Sequence, residues 1–202
     1  MMIQDGTGNG QFALVDANKQ LHVKSVDISA IQDATRKGNS YNINTGTIAL
    51  TSTSASGVFY FKNDESAVNG ESSFILDTIA IGIDNSGTTT NMAHITFIAN
   101  PTGGTLISGA SDVAINANRN LGSSNSLSTA TKAYKGAEGN TVTGGTTWGL
   151  VYQSSGTRGN YPLDVEIPRG SSFAVTIDTQ TTGGTTNVYV ALIGHRVDGK
   201  NN

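Results

Sequence analysis

The chain has 202 residues, no cysteine, a formal net charge of −3 and only 13% charged side chains. Without cysteine there are no disulfides and no thiolate metal sites, and without a basic patch or stripe nucleic acid is not expected as a partner. No apolar run approaches the length of a membrane span, so a membrane is not expected as a partner either.

The charged fraction is about half of the usual ~25%. Such a polar but largely uncharged surface can pack against other proteins without desolvating many ions. An ordinary β domain with many turns would have the same composition. The N-terminal sequence "MMIQDGTGNG" contains neither the basic nor the apolar region of a secretory signal, so we expect synthesis in a cytoplasm without export.

Residues 1–38 are predicted to form an N-terminal arm that contains a small hairpin and a short helix. The hairpin prediction covers residues 11–24, where two apolar stretches flank Asp and Asn residues that favour turns. The segment "DISAIQDATRKG" predicts a helix of roughly three turns, with Asp27 as its N-cap and Gly38 just beyond its last turn.

Residues 39–202 are predicted to form the main body, and the pattern from Tyr41 onward is typical of β-strands. Roughly ten short strand candidates without long helices predict an all-β sandwich or barrel. Among them is "GTLIS", and residues 116–146 are predicted as a long loop with one weak strand or helix near "LSTATKAY". In the longest strand candidate, residues 73–84, one face carries Ile75, Ile79, Ile81 and Ile83, and the other carries Phe74, Leu76 and Ala80.

The tetrapeptide "TGGT" occurs at residues 102–105, 143–146 and 182–185. The near-equal spacing resembles that of a repeat protein, but the flanking residues do not match, which argues against internal repeats. Glycine accepts positive φ without steric cost, so each copy is predicted to be a tight link between strands. The third copy separates two alternating apolar runs and is predicted to be a hairpin turn.

No group of residues predicts a catalytic, cofactor-binding or metal site, and we therefore expect a protein that is not an enzyme. The histidines His22, His94 and His195 lack the spacing of metal ligands and are interpreted as structural. Asp77 is unusual because it interrupts an apolar strand. It is interpreted as facing outward or lying at an edge; the alternative is a buried carboxylate that pairs with Lys or Arg at an interface.

Several segments, taken in order, resemble a group of tailed-bacteriophage virion proteins. They are "GTGNGQFALVDANKQLHVKSV", "GNSYNINTGTIALTS", "VFYFKNDES", "ILDTIAIGID", "NPTGGTLISGA", "NANRNLGSSNSLS" and "PRGSSFAVTID". The similarity spans nearly the whole chain, and the group includes auxiliary capsid proteins of the cement or decoration type. The resemblance implies a single β-sandwich, often a jelly roll, that assembles as a homotrimer on the capsid surface.

The leading hypothesis is a capsid cement protein that binds the outer surface of the head and stabilises contacts between capsomers. Its partners would be the major capsid protein and copies of itself, with no cofactor, and its location would be the virion. The arm would grip a neighbour or the shell. Its apolar anchors would be Phe12, Leu14, Val15, Leu21 and Val23.

The rival hypothesis is a receptor- or glycan-binding head of a tail fibre or spike. Trp148, Tyr152, Tyr161 and Tyr189 could supply a platform for sugars. Against it, Trp148, Leu150 and Tyr152 alternate as residues of a core face would. A glycan-degrading enzyme is the least favoured alternative.

Overall fold

The computed structural model describes residues 3–4, 12–13, 28–51, 53–65, 72–85, 92–108, 112–113, 115–127, 131–180 and 184–198. The chain divides into two compact units, Met1–Ala30 and Ile31–Asn202. The expected division into an arm of residues 1–38 and a body of residues 39–202 stays a prediction.

The first unit contains a short antiparallel pair of strands. Strand β1 (Ile3–Gln4) pairs with strand β2 (Phe12–Ala13), so that Ile3 is opposite Ala13 and Gln4 is opposite Phe12. The hairpin predicted within residues 11–24 requires residues 21–23 as a second strand, and these lie outside the described residues.

Helix α1 (Ala30–Arg36) is shorter than predicted but ends as predicted. Gly38 has a φ of +71°, its N–H donates to the Thr35 carbonyl at 3.0 Å, and the N–H of Asn39 donates to the Ala34 carbonyl at 2.8 Å. These two bonds form the Schellman motif that favours glycine after a helix. The predicted N-cap, Asp27, lies outside the described residues.

In the described residues that follow, the second unit consists of strands and one short helix, α2 (Thr105–Ser108). In chain order the strands are β3 (Ser40–Asn44), β4 (Ile48–Leu50), β5 (Ser56–Lys62), β6 (Ser72–Asn85), β7 (Ala93–Ala99), β8 (Asp112–Val113), β9 (Ile115–Asn118), β10 (Lys132–Lys135), β11 (Thr146–Gln153), β12 (Thr157–Ile167), β13 (Ser172–Asp178) and β14 (Thr186–Asp198).

The strands form two antiparallel sheets that pack face to face. Sheet A has the order β11-β7-β13-β5-β10-β8, and sheet B has the order β12-β6-β14-β3-β9, with β4 also beside β14. Eight strands pair as nested partners: β3 with β14, β5 with β13, β6 with β12, and β7 with β11. This nesting of antiparallel strands across two sheets is the topology of a jelly roll. The expected jelly-roll-like sandwich is therefore confirmed.

The chain between β7 and β11 is an insertion that covers parts of the sandwich. Its strand β9 extends sheet B beside β3, and its strands β10 and β8 extend sheet A beside β5. Its helix α2 is at "TLIS", which was predicted as a strand. Leu106 of α2 packs with Tyr60 and Ala174 on the face of sheet A that points away from the core, so this face is partly covered.

Three asparagines of the same insertion bind the end of α1. The side-chain amides of Asn120, Asn125 and Asn118 donate to the carbonyl oxygens of Arg36, Lys37 and Gly38 at 3.2, 3.3 and 2.8 Å. Carbonyls at the end of a helix lack partners within the helix, and these side chains supply them. The Asn-rich segment predicted as loop therefore has a defined structural role.

Not every TGGT copy forms the tight link between strands that was predicted. Gly103 and Thr143, from the first two copies, form an isolated antiparallel bridge with each other. Since β13 and β14 lie in different sheets, the third copy connects one sheet to the other, and its predicted hairpin is wrong. The predicted positive φ is confirmed at four glycines of these copies, Gly104, Gly144, Gly145 and Gly184.

The main core lies between the sheets, and β6 contributes to it with a change of phase. Phe74 and Leu76 face the core, and so do Ile79, Ile81 and Ile83, although the prediction placed the two groups on opposite faces. Leu76 is opposite Gly194 of β14, whereas Thr78 is opposite Ile193, so Asp77 is an extra residue on β6. Such a β-bulge shifts the alternation by one residue and explains the error.

Candidate functional site

The predicted contact residues of the arm are mostly untested. Phe12 lies in strand β2, and Leu14, Val15, Leu21 and Val23 lie outside the described residues. Their role in binding a partner stays a prediction.

Strand β11 exposes a row of large side chains, which we call the β11 row: Trp148, Leu150 and Tyr152. They are 48%, 50% and 57% exposed. The prediction that these three residues alternate as a core face is therefore wrong. The residues of β11 that face the core are Gly149, Val151 and Gln153, whose partners on β7 are Phe97, Ile95 and Ala93.

The position of β11 explains this exposure. It is the last strand of sheet A and has β7 on one side only, so its free edge has no strand partner among the described residues. A β-bulge between Thr147 and Gly149 brings Trp148 toward the open side of the sandwich, where its ring centroid lies 6.4 Å from that of Phe97. Tyr152 packs edge-on against His94, with 4.8 Å between the ring centroids.

The residues of β11, "TTWGLVYQ", include no charged side chain. The adjacent edge strand of sheet B, β12, differs in this respect. It carries Arg158, Asp164 and Glu166, a proline at 162 and a β-bulge between Pro162 and Val165. Charges, proline and bulges are the features with which proteins protect edge strands from pairing, and β11 has only the bulge. The free edge of β11 is therefore suited to contact with another protein surface.

The four aromatic residues of the rival hypothesis are not brought together. Tyr161 packs against Phe97 in the core, with 5.9 Å between the ring centroids, and its hydroxyl donates to Oε1 of Gln153 at 2.8 Å. Burial raises the pKa of the Tyr161 phenol. Tyr189 lies on sheet B, whereas Trp148 and Tyr152 lie on sheet A. A single platform of these four rings does not exist.

Asp77 and His195 form a buried pair on the outer side of sheet B. The Nδ1 atom of His195 lies 3.0 Å from Oδ2 of Asp77, and each side chain is 7% exposed. The preferred expectation of an outward-facing carboxylate is correct as to the face of the sheet, but the side chain is buried there. The alternative, a buried and paired carboxylate, is correct as to burial, but the partner is a histidine of the same chain.

Ser40 lies directly opposite His195, yet the three residues do not form a nucleophilic triad. A triad requires a serine hydroxyl that is bonded to the imidazole and reachable by substrate. The Ser40 hydroxyl is fully buried, donates to the Gly194 carbonyl at 3.3 Å and accepts from Nη1 of Arg119 at 3.3 Å. This arrangement orients two strands and the insertion relative to one another.

A second buried ionic cluster involves Glu65, for which the sequence predicted no role. Its carboxylate lies 3.4 Å from Nη1 of Arg196 and accepts from the Thr131 hydroxyl at 2.6 Å. Asn63 lies beside it, fully buried, and its amide donates to the carbonyls of Ser72 and Ile167 at 2.9 Å each. These contacts join the ends of β5, β6, β12 and β14, so the cluster stabilises the fold.

Within the described part of the chain, no group of three or more His, Cys, Asp or Glu residues could hold a metal ion. In the same part, no helix has the length and apolar character needed to cross a membrane. The chain matches no protein-family profile, and no curated protein is significantly similar to it in sequence.

Proposed function

We propose that the protein is a structural component of a tailed-bacteriophage virion, a cement or decoration protein on the outer surface of the capsid. In this proposal it assembles as a homotrimer, binds the major capsid protein and stabilises contacts between capsomers. It acts through binding alone, without catalysis or a cofactor. Its location is the particle, and its synthesis takes place in the host cytoplasm.

The observation that carries the proposal is the uncharged edge strand β11 with three exposed large side chains, Trp148 at the open side of the sandwich and Leu150 and Tyr152 on the outer face of sheet A. Aromatic residues are enriched in the cores of protein interfaces, where charged residues are depleted. A second copy of this chain could pack on this edge without desolvating an ion of β11. We therefore assign the β11 row to contacts between copies, and the arm to contacts with the shell.

Two further features support the proposal. The jelly roll is a fold found in viral capsid proteins, although a fold by itself does not define a function. The low content of charge suits a protein that packs in many copies on a surface. An interface of standard size buries about 1,600 Å², and repetition over a closed shell adds avidity.

The first experiment locates the protein on purified particles by cryo-electron microscopy and counts its copies by quantitative mass spectrometry. The proposal expects density on the outer face of the capsid and hundreds of copies. A handful of copies at the tail tip would instead support the receptor-binding head. Absence from the particle would contradict both.

The second experiment separates the two contact surfaces in the full-length chain. Leu150→Lys and Tyr152→Lys place charges on the outer face of the edge strand β11 and are expected to convert trimers to monomers in light scattering. The matched control is Asn160→Lys on the exposed side of β12, which should leave the trimer intact. If the β11 variants remain trimeric, the assignment of this edge is wrong.

The arm is tested by replacing Phe12, Leu14 and Val15 together with serine in the full-length chain. We expect a folded trimer that no longer binds capsids from which the protein has been removed. Leu21 and Val23 form a second set for the same measurement. Undiminished capsid binding by both sets would contradict the role of the arm.

A further inference from the structure

An open pocket of about 440 Å³ lies on sheet B, away from the β11 row. Its size falls within the range of about 300–1,000 Å³ that is typical of sites for small ligands. It is formed by the ends of β6, β12 and β14 and by the turn before β4. Its lining includes Gly82, Asp84, Arg158, Asn187 and Tyr189.

The floor of the pocket is the ring of Tyr189, which packs against the backbone of Gly82. Arg158, Gly82 and Tyr189 are aligned in register across three neighbouring strands. A Cβ atom on Gly82 would lie 1.8 Å from Cε1 of Tyr189, so the ring occupies the space that any side chain at residue 82 would fill. The guanidinium carbon of Arg158 lies 6.0 Å from the centroid of the same ring, which is the distance of a cation–π contact.

The rim of the pocket consists of polar groups that are available to a ligand. Asp84 and Asn187 are directly opposite each other on β6 and β14. Asp84 is exposed and Asn187 is half-buried. Among the described residues, neither side chain makes a hydrogen bond or an ion pair. The Arg158 guanidinium likewise makes no ion pair with the described residues. It contacts the ring of Tyr189.

The chemistry of these groups selects a class of ligand. Asp84 supplies acceptors, Arg158 supplies donors, and the Asn187 amide supplies both, as the hydroxyl groups of a sugar require. The aromatic ring adds an apolar surface. One negative and one positive side chain leave no net charge, so neither an anion nor a cation is favoured. A phosphate group would meet the Asp84 carboxylate, and a metal ion would find one carboxylate only.

We propose that this pocket binds a neutral saccharide, with the sugar hydroxyls bonded to Asp84, Asn187 and Arg158. This proposal does not depend on attachment to a capsid. A decoration protein with such a pocket would display it on every copy. Many weak sites on one particle would then add avidity for a polysaccharide surface.

The test uses the full-length protein labelled with ¹⁵N and titrated with glucose, galactose, mannose, rhamnose and N-acetylglucosamine. The proposal expects amide shifts that saturate with at least one of these sugars and are confined to residues 82–84, 156–158 and 187–189. Glycerol, a polyol without a ring, should not produce them. Absence of saturable shifts across the panel, or equal shifts with glycerol, overturns the proposal.

Two variants and a matched control assign the site. Asp84→Ala and Asn187→Ala should each weaken binding about tenfold, because each removes a hydrogen-bonding group from the site. Asn160→Ala, on the exposed side of β12 and outside the pocket, should bind as the unaltered protein does. Equal binding by Asp84→Ala and the unaltered protein would contradict the site. Tighter binding of glucuronate than of glucose would contradict the neutral class of ligand.

Because both experiments use the isolated protein, their outcome is independent of capsid binding. A negative sugar titration would contradict the saccharide site but not the cement function. Negative capsid experiments would contradict the cement function but not the saccharide site.

Discussion

The Nδ1 atom of His195 lies 3.0 Å from the Oδ2 atom of Asp77, in a pair that joins the neighbouring strands β14 and β6 of sheet B. The β-bulge at Asp77 makes this contact possible, since it turns the carboxylate away from the core while Leu76 and Ile79 both remain inside. The contact thus places the one acidic residue within the apolar segment of β6 without exposing the core to a charge.

Removing either member of this pair should destabilise the fold. Asp77→Ala and His195→Ala are each expected to lower the free energy of unfolding by about 1–3 kcal/mol, because each leaves a buried polar group without its partner. Urea denaturation of both variants and of the double variant measures the coupling between the residues. Asp84→Ala, which removes an exposed carboxylate from the same strand, should change stability by less than about 0.5 kcal/mol. Additive losses in the double variant would contradict a direct interaction.

Replacing Asn63 with aspartate, the residue closest to it in shape, should destabilise the fold. Its side-chain amide donates to two carbonyls, so in Asn63→Asp a carboxylate oxygen would face the carbonyls of Ser72 and Ile167. We expect a loss of at least about 2 kcal/mol in the free energy of unfolding, measured by urea denaturation at neutral pH. The control is Asn160→Asp at an exposed position, which should be nearly neutral. A small effect at Asn63 would show that the amide bonds contribute little.

Two glycines with nearly the same positive φ should differ in their tolerance of alanine. Gly145 has a φ of +76° and Gly156 a φ of +73°. No described residue lies within 4 Å of a Cβ at Gly156, whereas a Cβ at Gly145 would lie 2.5 Å from the Ala99 carbonyl oxygen. We expect Gly156→Ala to cost about 1–2 kcal/mol from strain alone, and Gly145→Ala to cost clearly more. Thermal unfolding of the two variants makes the comparison, and equal losses would rule out a steric role for the second TGGT copy.

Ionisation of the Tyr161 phenol should contribute to a loss of stability at alkaline pH. Burial raises the pKa of its phenol in the folded protein, so the unfolded chain ionises first, near pH 10. The contribution is therefore fully present below about pH 10 and is lost as the pH rises through the folded pKa. Urea denaturation across this range should show a shallower loss for Tyr161→Phe than for the unaltered protein.

The same variant should be slightly less stable at neutral pH, by about 1 kcal/mol, because Gln153 loses the hydroxyl that donates to it. Tyr152→Phe is the matched control, since its hydroxyl belongs to an exposed side chain. If the two variants have the same dependence on pH, the burial of Tyr161 does not explain the alkaline loss.

The class of fold and some local features could be predicted from the sequence because they depend on neighbours in the chain. Short alternating apolar runs without long helices predicted the β-sandwich, and the resemblance added the jelly roll. Gly38 ends α1 as predicted, and the TGGT glycines at 104, 144, 145 and 184 adopt positive φ. Each of these features follows from the conformational preference of one residue or from local periodicity.

Two other predictions failed because they required knowledge of which strands become neighbours. The alternating runs around residues 182–185 are compatible both with a hairpin and with a connection between two sheets. Only the pairing of β13 with β7 and β5 places it in sheet A. The alternation of Trp148, Leu150 and Tyr152 resembles that of a core face. In the structure they are exposed, because β11 is an edge strand with a bulge.

The sequence by itself determined an all-β chain of low charge with glycine at its turns, since composition, periodicity and glycine conformation are properties of short segments. Only the tertiary structure decided which strand became an edge, which face of β6 entered the core, and that His195 would be the partner of Asp77. The physical reason is that these outcomes depend on pairing between residues distant in the chain. One added residue, as at the Asp77 bulge, reverses the face of every side chain beyond it.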